Sequence, residues 1–398
     1  MSRRGALDAV VSGGGVVGAA CALALAGRGL DVALVEGAPP APWRADAPDL
    51  RVYAFAADNA ALFERLGAWD AVRDARVQPY RRMRVWDAAG GGELVFDADA
   101  FGRRELGWIV EHGLLLDRLW AKLPAAGVRV LCPARVAALE DEGTDGVVVG
   151  LEDGSRLRAR VAIAADGARS TLRELAGIEV DRHGYGQRGV VGYVSTSRPH
   201  EDTAWQRFLP GGPLALLPVA PSGVAGARCS IVWTLPDDEA ARVLALDDEA
   251  FGRELTRASD ARLGEVRAAS PRAAFPLQRQ LARDYVRGRV LALGDAAHVV
   301  HPLAGQGVNL GLRDVAALAR MVATAQEARA DWASPSRLAR WARARRSEDT
   351  LAAYAFDGIN RLYASDSVAA TLLRGPLLGL AGRVPPLPRL LWKHAAGL

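Results

Sequence analysis

Lysine is almost missing from this chain: Lys122 and Lys393 are the only two in 398 residues. Basic charge is carried by scattered arginines, and the formal net charge is only +4. A weak, dispersed excess of this kind argues against a nucleic-acid surface, which needs a concentrated basic stripe. Cysteine is also scarce. Cys21, Cys132 and Cys229 are odd in number, far apart and form no C-x-x-C pair. A disulfide framework and a cysteine-built zinc site are thereby disfavoured, and a reducing, cytoplasmic setting is expected. No apolar run reaches the ~18–20 residues needed to span a bilayer. Arg3-Arg4 followed by apolar residues 10–26 imitates a secretory signal. Gly13-Gly14-Gly15 interrupts that run, and a strand, turn and helix account for every residue in it, so the signal is rejected.

Half of the residues are apolar and 24% are charged, the balance of a globular protein. The length suits two interlocked domains better than one core. Residues 8–12 are a short apolar run ending in glycines, and an alanine-rich helical stretch follows to Arg28. Gly29 stops it, and residues 31–36 (DVALVE) read as a second buried strand, completing a β-α-β unit. Residues 38–48 read as a loop, 59–66 and 114–123 as helices, and 128–132 as a strand. Asp153-Gly154 marks a hairpin between 147–151 and 156–160, with a separate short strand at 161–165. From Gln187 to about Phe275 the pattern changes to alternating strands with Pro and Gly turns, plus one acidic helical stretch at 237–258. Residues 289–294 return to a buried parallel-strand pattern, followed by a helix from Gly307 to about Ala328 and a basic helical segment after Trp332.

Three motifs carry chemistry. The first is Gly13-x-Gly15-x-x-Gly18, with Glu36 ending the next strand. The first glycine permits a tight turn, the second lets backbone approach a pyrophosphate, and the third lets helix and strand pack closely. Phosphate charge then sits at the helix N-terminus, where free N–H groups and the helix dipole favour it. Glu36 can accept ribose hydroxyls and disfavours a 2′-phosphate, which suits FAD or NAD. The second motif is Gly294-Asp295-Ala296-Ala297-His298, continuing through His301, Pro302, Gly305, Gln306, Gly307, Val308 and Asn309. An acid at a strand's carboxyl end can bind a hydroxylated chain, and a Gly-Gln-Gly turn opening a helix offers N–H groups to an electron-rich ring edge. His298 and His301 are spaced as on a helical face, but turn residues surround them and no ligand shell is completed, so they are read as structural and no metal is expected. The third motif, Asp166-Gly167-Ala168-Arg169-Ser170, is by itself an ordinary turn.

Together these segments resemble the class A flavoprotein monooxygenases, and most closely the ubiquinone-biosynthesis hydroxylase (UbiH/UbiF) family. GGGVVG with VALVE, AIAADGARSTLR and LALGDAAHVVHPLAGQGVNLGLRD carry the resemblance, which runs over nearly the whole chain. It implies an α/β fold: a Rossmann-like FAD-binding domain, similar to p-hydroxybenzoate hydroxylase, with an inserted mixed β-sheet substrate domain and C-terminal helices. The implied divisions are 1–75, 101–180 and 276–333 for FAD, 76–100 and 181–275 for substrate, and 334–398 for the C-terminal segment. Gly13, Gly15, Val16, Val17 and Gly18 would lie along the pyrophosphate, Glu36 on the adenosine ribose and the backbone near Val136 over the adenine. Arg51, Gly294 and Asp295 would hold the pyrophosphate and ribityl chain, and Asp166 and Gly167 belong to a turn implicated in FAD and NAD(P)H binding. Pro302, Gly305, Gln306, Gly307, Val308 and Asn309 would frame the isoalloxazine, with Pro302 and Gly305 shaping the oxygen site. Relatives carry a glutamine near the start of the helix at 114–123. Here Asp117 stands in that position beside Arg118, and Arg118 is the substitute contact.

The resemblance further implies NAD(P)H and O₂ as co-substrates and hydroxylation of an aromatic ring, a polyprenyl phenol of ubiquinone biosynthesis, through a flavin C4a-hydroperoxide. The resemblance also implies that the nicotinamide nucleotide has no second nucleotide-binding domain of its own. An apolar pocket near Phe208, Leu216 and Pro218 would keep water out. Apolar runs in residues 372–398, separated by arginines, fit either an interfacial face on the cytoplasmic membrane or a helix packed on the FAD domain. Rival readings are a class A flavoprotein acting on a soluble phenol or reducing a prenyl chain, and a non-catalytic flavin-binding subunit of a biosynthetic complex. A flavin halogenase is disfavoured, because no lysine precedes Lys122.

Overall fold

The computed structural model describes residues 6–364, apart from 89–91, 144–145, 222–225, 227 and 301–306. Its first sheet has eight strands. Five of them run parallel, in the spatial order Val290–Ala292, Arg156–Ala164, Leu7–Ser12, Val32–Val35 and Arg129–Leu131. Leu7–Ser12 is central and almost wholly buried, which explains its unbroken apolar sequence. The helix that follows, Val16–Ala26, is buried on nearly every side. Its alanines and Gly18 allow it to lie close to its neighbours.

The parallel register has one consequence for function. The carboxyl ends of four strands stop at the same edge. Gly13 N–H donates to Val35 O (2.8 Å), Ala165 N–H to Ser12 O (2.8 Å) and Leu293 N–H to Ala164 O (3.1 Å). The glycine turn, Glu36, the Asp166 turn and the Gly294 turn are therefore neighbours, although they are spread over some two-thirds of the chain. Open parallel sheets bind ligands at such an edge.

A second, nine-stranded sheet is mixed. Its backbone is the 17-residue strand Val180–Thr196, flanked by Ala273–Ala282 and Cys229–Pro236, and continuing through Gly212–Pro218 and Thr203–Leu209. Residues Arg82–Asp87 and Glu93–Asp97 extend it at the far side, the first of these pairing parallel to Thr203–Leu209. One face is covered by the helices Asp237–Ala245 and Asp248–Ala258, which bury Ala240, Val243, Phe251 and Leu255 against Trp205, Leu214, Leu216, Ile231 and Trp233. Each large apolar side chain so buried contributes about 1.5–3 kcal/mol. The other face meets a three-stranded sheet, Val52–Phe55, Gly107–Glu111 and Gln78–Tyr80.

Three local expectations are corrected. Residues 156–160 and 161–165 are one strand, Arg156–Ala164. Its first half pairs antiparallel with Val147–Leu151 and its second half parallel with Leu7–Ser12, and no turn residue divides them. The acidic helix is two helices, because the Asp247 side chain accepts the Ala250 N–H (2.6 Å) and starts a new one. The long strand begins at Val180, before the expected Gln187, and carries a register shift between Gly184 and Arg188.

A Cβ on Gly18 would lie 1.9 Å from Gly13 O, whereas one on Gly15 would meet nothing within 4 Å. Gly18→Ala is expected to lower the stability of the FAD-free protein by about 1–3 kcal/mol or more, read from its urea midpoint. Gly15→Ala should leave that midpoint unchanged and weaken FAD binding alone.

Candidate active site

Gly13 has φ +101°, and a Cβ there would strike Ala165 O at 2.4 Å. Only glycine turns the chain here. Gly15 then precedes the Val16–Ala26 helix with no side chain capping its first N–H groups, leaving donors open to an anion. Glu36 reaches back to this turn: its Oε2 accepts Gly14 N–H at 2.6 Å and its Oε1 accepts Ala38 N–H at 3.2 Å. Trp120 closes the other side, its indole N–H donating to Gly14 O at 2.7 Å. Val136 starts the strand Val136–Asp141, with its side chain buried.

At the next strand end, Gly167 has φ +85°. The Asp166 carboxylate is turned inward. It accepts the Ser12 hydroxyl (3.3 Å), the Leu172 N–H (3.2 Å) and the Ser170 hydroxyl, and so fastens its turn to the central strand. Arg173, only 1% exposed, donates to Ala168 O (3.0 Å) and Ala296 O (3.1 Å). Gln280, fully buried, donates to Ala168 O (3.1 Å) and Asp295 O (3.2 Å). These two side chains join the Asp-Gly and Gly-Asp turns by their carbonyls. The Asp295 carboxylate is left exposed at the strand's carboxyl end.

The helix Gly307–Glu327 begins beside these turns. Val17 fits against Gly294 and Gly311: a Cβ on Gly311 would lie 2.8 Å from Val17 Cγ2. Val308 and Asn309 are buried. The Asn309 amide is committed to the neighbouring segment, donating to Ala54 O (2.8 Å) and accepting from Ala56 N–H (3.1 Å) and Asn59 Nδ2 (2.9 Å). It thereby fixes the end of Val52–Phe55, the strand that Arg51 precedes. His301, Pro302, Gly305 and Gln306 lie outside the described residues.

Arg51 is exposed and its guanidinium lies over the Tyr53 ring, 5.3 Å from the centroid. Tyr53 Oη is 2.9 Å from His112 Nδ1. Burial, reinforced by the Arg51 charge, pushes His112 down to about 4, and burial pushes the Tyr53 phenol up. The imidazole is therefore neutral at pH 7 and can accept the Tyr53 O–H. Arg118 lies on the helix His112–Trp120. Its guanidinium lies over Trp43 (5.5 Å), its Nε donates to Ala71 O (3.3 Å) and it pairs with Asp117 (2.5 Å).

Leu216 and Phe208 occupy opposite faces of the nine-stranded sheet. Leu216 belongs to the helix-covered core. Pro218, two residues on, shares its side by strand alternation. Phe208 alternates onto the face of Ala204, which with Tyr193, Ala215 and Leu217 packs toward Leu50, Val52, Ala54 and Ile109. Leu216 and Pro218 are thus removed from the expected pocket, because side chains two apart share a face and neighbours do not. A narrow crevice of about 20 Å³ lies between the sheets, lined by Val52, Ile109, Tyr193 and Val219, with Arg76 and Glu111 at its polar end. Tyr193 Oη donates to Asp49 O at 2.7 Å across this boundary.

His298, Asp314 and Asp349 place three potential metal ligands within 4.8 Å of one another. The Arg345 guanidinium bonds both carboxylates, so the position a cation would need already holds a positive charge.

Sequence reasoning missed Trp120, His112, Arg173, Gln280, Asn59 and Gly311. Two left a trace: Gln280 is polar near the apolar Leu277 and Leu281, and Arg173 closes the AIAADGARSTLR segment.

A glycine turn opening an uncapped helix, an acid ending the second strand and an exposed acid on a third turn together suit the pyrophosphate, ribose and ribityl hydroxyls of FAD. The fold and this edge define a dinucleotide-binding flavoprotein. The FAD binding domain family (FAD_binding_3) matches residues 6–351. The ubiquinone hydroxylase UbiL of Rhodospirillum rubrum is 40% identical over 395 residues, covering 98% of this chain and 89% of that protein. The 3-demethoxyubiquinol 3-hydroxylase of Escherichia coli K12 is 36% identical over 396 residues, covering 98% of each. In fold, the chain is similar to the p-nitrophenol 4-monooxygenase PnpA of Pseudomonas putida DLL-E4, with TM-score 0.76, 20% identity and 98% of each chain covered. The chain belongs to the FAD-dependent monooxygenases, within the family that contains these ubiquinone-biosynthesis hydroxylases.

The His112 shift gives a pH signature. The unfolded imidazole binds its proton near 6.5 and the folded one only near 4, so the unfolded chain is the better base. Stability from this group is complete above pH 6.5 and declines as pH falls toward 4, by at most about 3 kcal/mol. His112→Gln should flatten that part of the wild-type stability-versus-pH curve, measured by denaturant titration.

Proposed function

We propose that this chain hydroxylates the aromatic ring of a polyprenylated phenol in ubiquinone biosynthesis, using FAD, NAD(P)H and O₂. The observation that carries this reading is the meeting of three strand-end motifs at one sheet edge, beside an apolar boundary with a second sheet, in a chain 40% identical to a ubiquinone hydroxylase. In the net reaction one oxygen atom enters the ring and the other leaves as water, while NAD(P)H supplies two electrons.

On this reading residues 1–75, 101–180 and 276–333 hold FAD, and 76–100 and 181–275 hold substrate. Gly13, Gly15, Val16, Val17 and Gly18 receive the pyrophosphate, with Arg51 as its free cation. Glu36 and Val136 border the adenosine and Asp295 the ribityl hydroxyls. Asp166, Gly167 and Gly294 shape the turns, and Pro302, Gly305, Gln306, Gly307, Val308 and Asn309 border the ring. Arg118 in this geometry supports the site through Trp43 and does not need to touch the cofactor. Bound FAD supplies electron transfer from NAD(P)H and activation of O₂. The protein's part is to orient the phenol and exclude water. Ala204, Phe208, Ala215 and Leu217 present a face suited to both tasks.

Among the described residues no helix is long and apolar enough to cross a membrane. Leu351 (63% exposed) and Tyr354 (55% exposed) stand on the helix that leads into residues 365–398, which supports access to a polyprenyl chain from a bilayer surface.

Cells lacking the protein should accumulate an under-hydroxylated polyprenyl quinone precursor, detected by mass spectrometry of lipid extracts. An unchanged quinone pool, with NAD(P)H oxidation stimulated by soluble phenols, would transfer the assignment to a soluble substrate. A chain that retains FAD but shows no substrate-stimulated NAD(P)H oxidation with any phenol would be a non-catalytic subunit. The two faces of the sheet give a second test. Leu217→Ala should raise the H₂O₂ formed per NAD(P)H consumed. Leu216→Ala should cost about 2–5 kcal/mol of stability and leave that ratio at the wild-type value.

A further inference from the structure

Four charged side chains are buried together between the helix Gly307–Glu327 and the helix Pro335–Ala364. His298 is 1% exposed, Asp314 and Asp349 are fully buried and Arg345 is 3% exposed. Asp314 Oδ2 accepts the Gly294 N–H at 2.9 Å and lies 2.7 Å from His298 Nε2. Asp314 Oδ1 accepts Arg345 Nε at 2.7 Å, and Arg345 also donates to Asp349 at 2.6 Å. His298 Nε2 is 3.5 Å from Asp349, and the Trp341 indole N–H points to Asp314 O at 3.4 Å. The Tyr285 ring is stacked on His298 at 6.1 Å. Burial alone would neutralise His298, but Asp349 and Asp314 outweigh it and hold the ring protonated.

Such a cluster is an inefficient way to stabilise a core, because desolvating four charges consumes most of their mutual attraction. Its placement gives it a use. One carboxylate oxygen, Asp314 Oδ2, binds two points of the same turn, Gly294 and His298. Between them lies Asp295, whose carboxylate alone faces outward, and Gly294 is held at φ +59°. The opposite oxygen is held by a side chain from the last described helix.

We infer that Asp314, His298 and Arg345 are positioning residues for FAD: through Arg345, Asp314 and Gly294, the helix Pro335–Ala364 sets the Asp295 turn in its cofactor-binding geometry. The inference rests on the reading of Asp295 as an FAD ligand. It assigns to the C-terminal helix control over cofactor affinity, although none of these three side chains needs to touch the cofactor.

The test uses the full chain with FAD removed and added back. FAD Kd is measured by quenching of flavin fluorescence, and melting temperatures are taken with and without saturating FAD. Arg345→Met is expected to raise Kd at least tenfold and to shrink the rise in melting temperature that FAD produces. Arg345→Lys, which restores the charge and part of the hydrogen bonding, should recover a Kd between the two. If Arg345→Met does not fold, the same comparison is made with Arg345→Lys alone, for which a Kd two- to fivefold above wild type is expected. A variant that melts lower without FAD, yet keeps the wild-type Kd and the wild-type FAD-induced increment, overturns the inference and leaves a purely structural staple. Wild-type protein that takes up no FAD overturns the reading of the site itself.

Discussion

The site depends on the register of five parallel strands. Because Leu7–Ser12 pairs with Arg156–Ala164 on one side and Val32–Val35 on the other, and Arg156–Ala164 also pairs with Val290–Ala292, their carboxyl ends finish together. A shift of one residue would withdraw one of the turns from the edge and reverse the side chains of that strand. Backbone hydrogen bonds between the ends of neighbouring strands fix that alignment, and Arg173 and Gln280 secure it by bonding the carbonyls of two turns at once. Both side chains are buried, and the bonds of Arg173 to Ala296 O and of Gln280 to Asp295 O form only when the two turns are adjacent, so each opposes their separation.

The same edge shows a division of labour among acids. The Asp166 carboxylate is consumed by Ser12, Ser170 and Leu172, and Asp314 by Gly294, His298 and Arg345. Glu36 is bonded to the glycine turn but remains partly exposed, and Asp295 faces outward. Acids that build the turns point inward, whereas Glu36 and Asp295 keep exposure at the strand ends. A similar split holds for arginine. Arg173 and Arg345 are buried and bonded inward, whereas Arg51 stays exposed over Tyr53.

The second sheet supplies a wall instead of ligands. Its helix-covered side takes the tryptophans and the larger share of buried leucine and isoleucine, while the side toward the three-stranded sheet has Ala204, Ala215, Leu217 and Tyr193. Tyr193 ties the two parts together through Asp49 O. A reaction that must avoid water needs an apolar boundary of this kind next to the cofactor edge.

The glycine turn, its helix, the following acid and the Gly-Asp turn were legible in the amino-acid order, since each is a local demand: a left-handed φ, a close backbone approach or an uncapped helix start requires a particular residue at a particular spacing. The α/β class followed from buried strands alternating with helices. What required the folded chain were relations between distant segments. Alternation shows that Leu216 and Leu217 face opposite ways but not which of them faces the cofactor domain, and that choice came from where the helices Asp237–Ala245 and Asp248–Ala258 pack. Arg118 could be placed on its helix from sequence, yet its direction was decided by Trp43, more than seventy residues away. The partnership of His298 with Asp314 and Arg345 was invisible for the same reason: a hydrogen bond depends on positions in space, and only tertiary packing brings those helices to the turn.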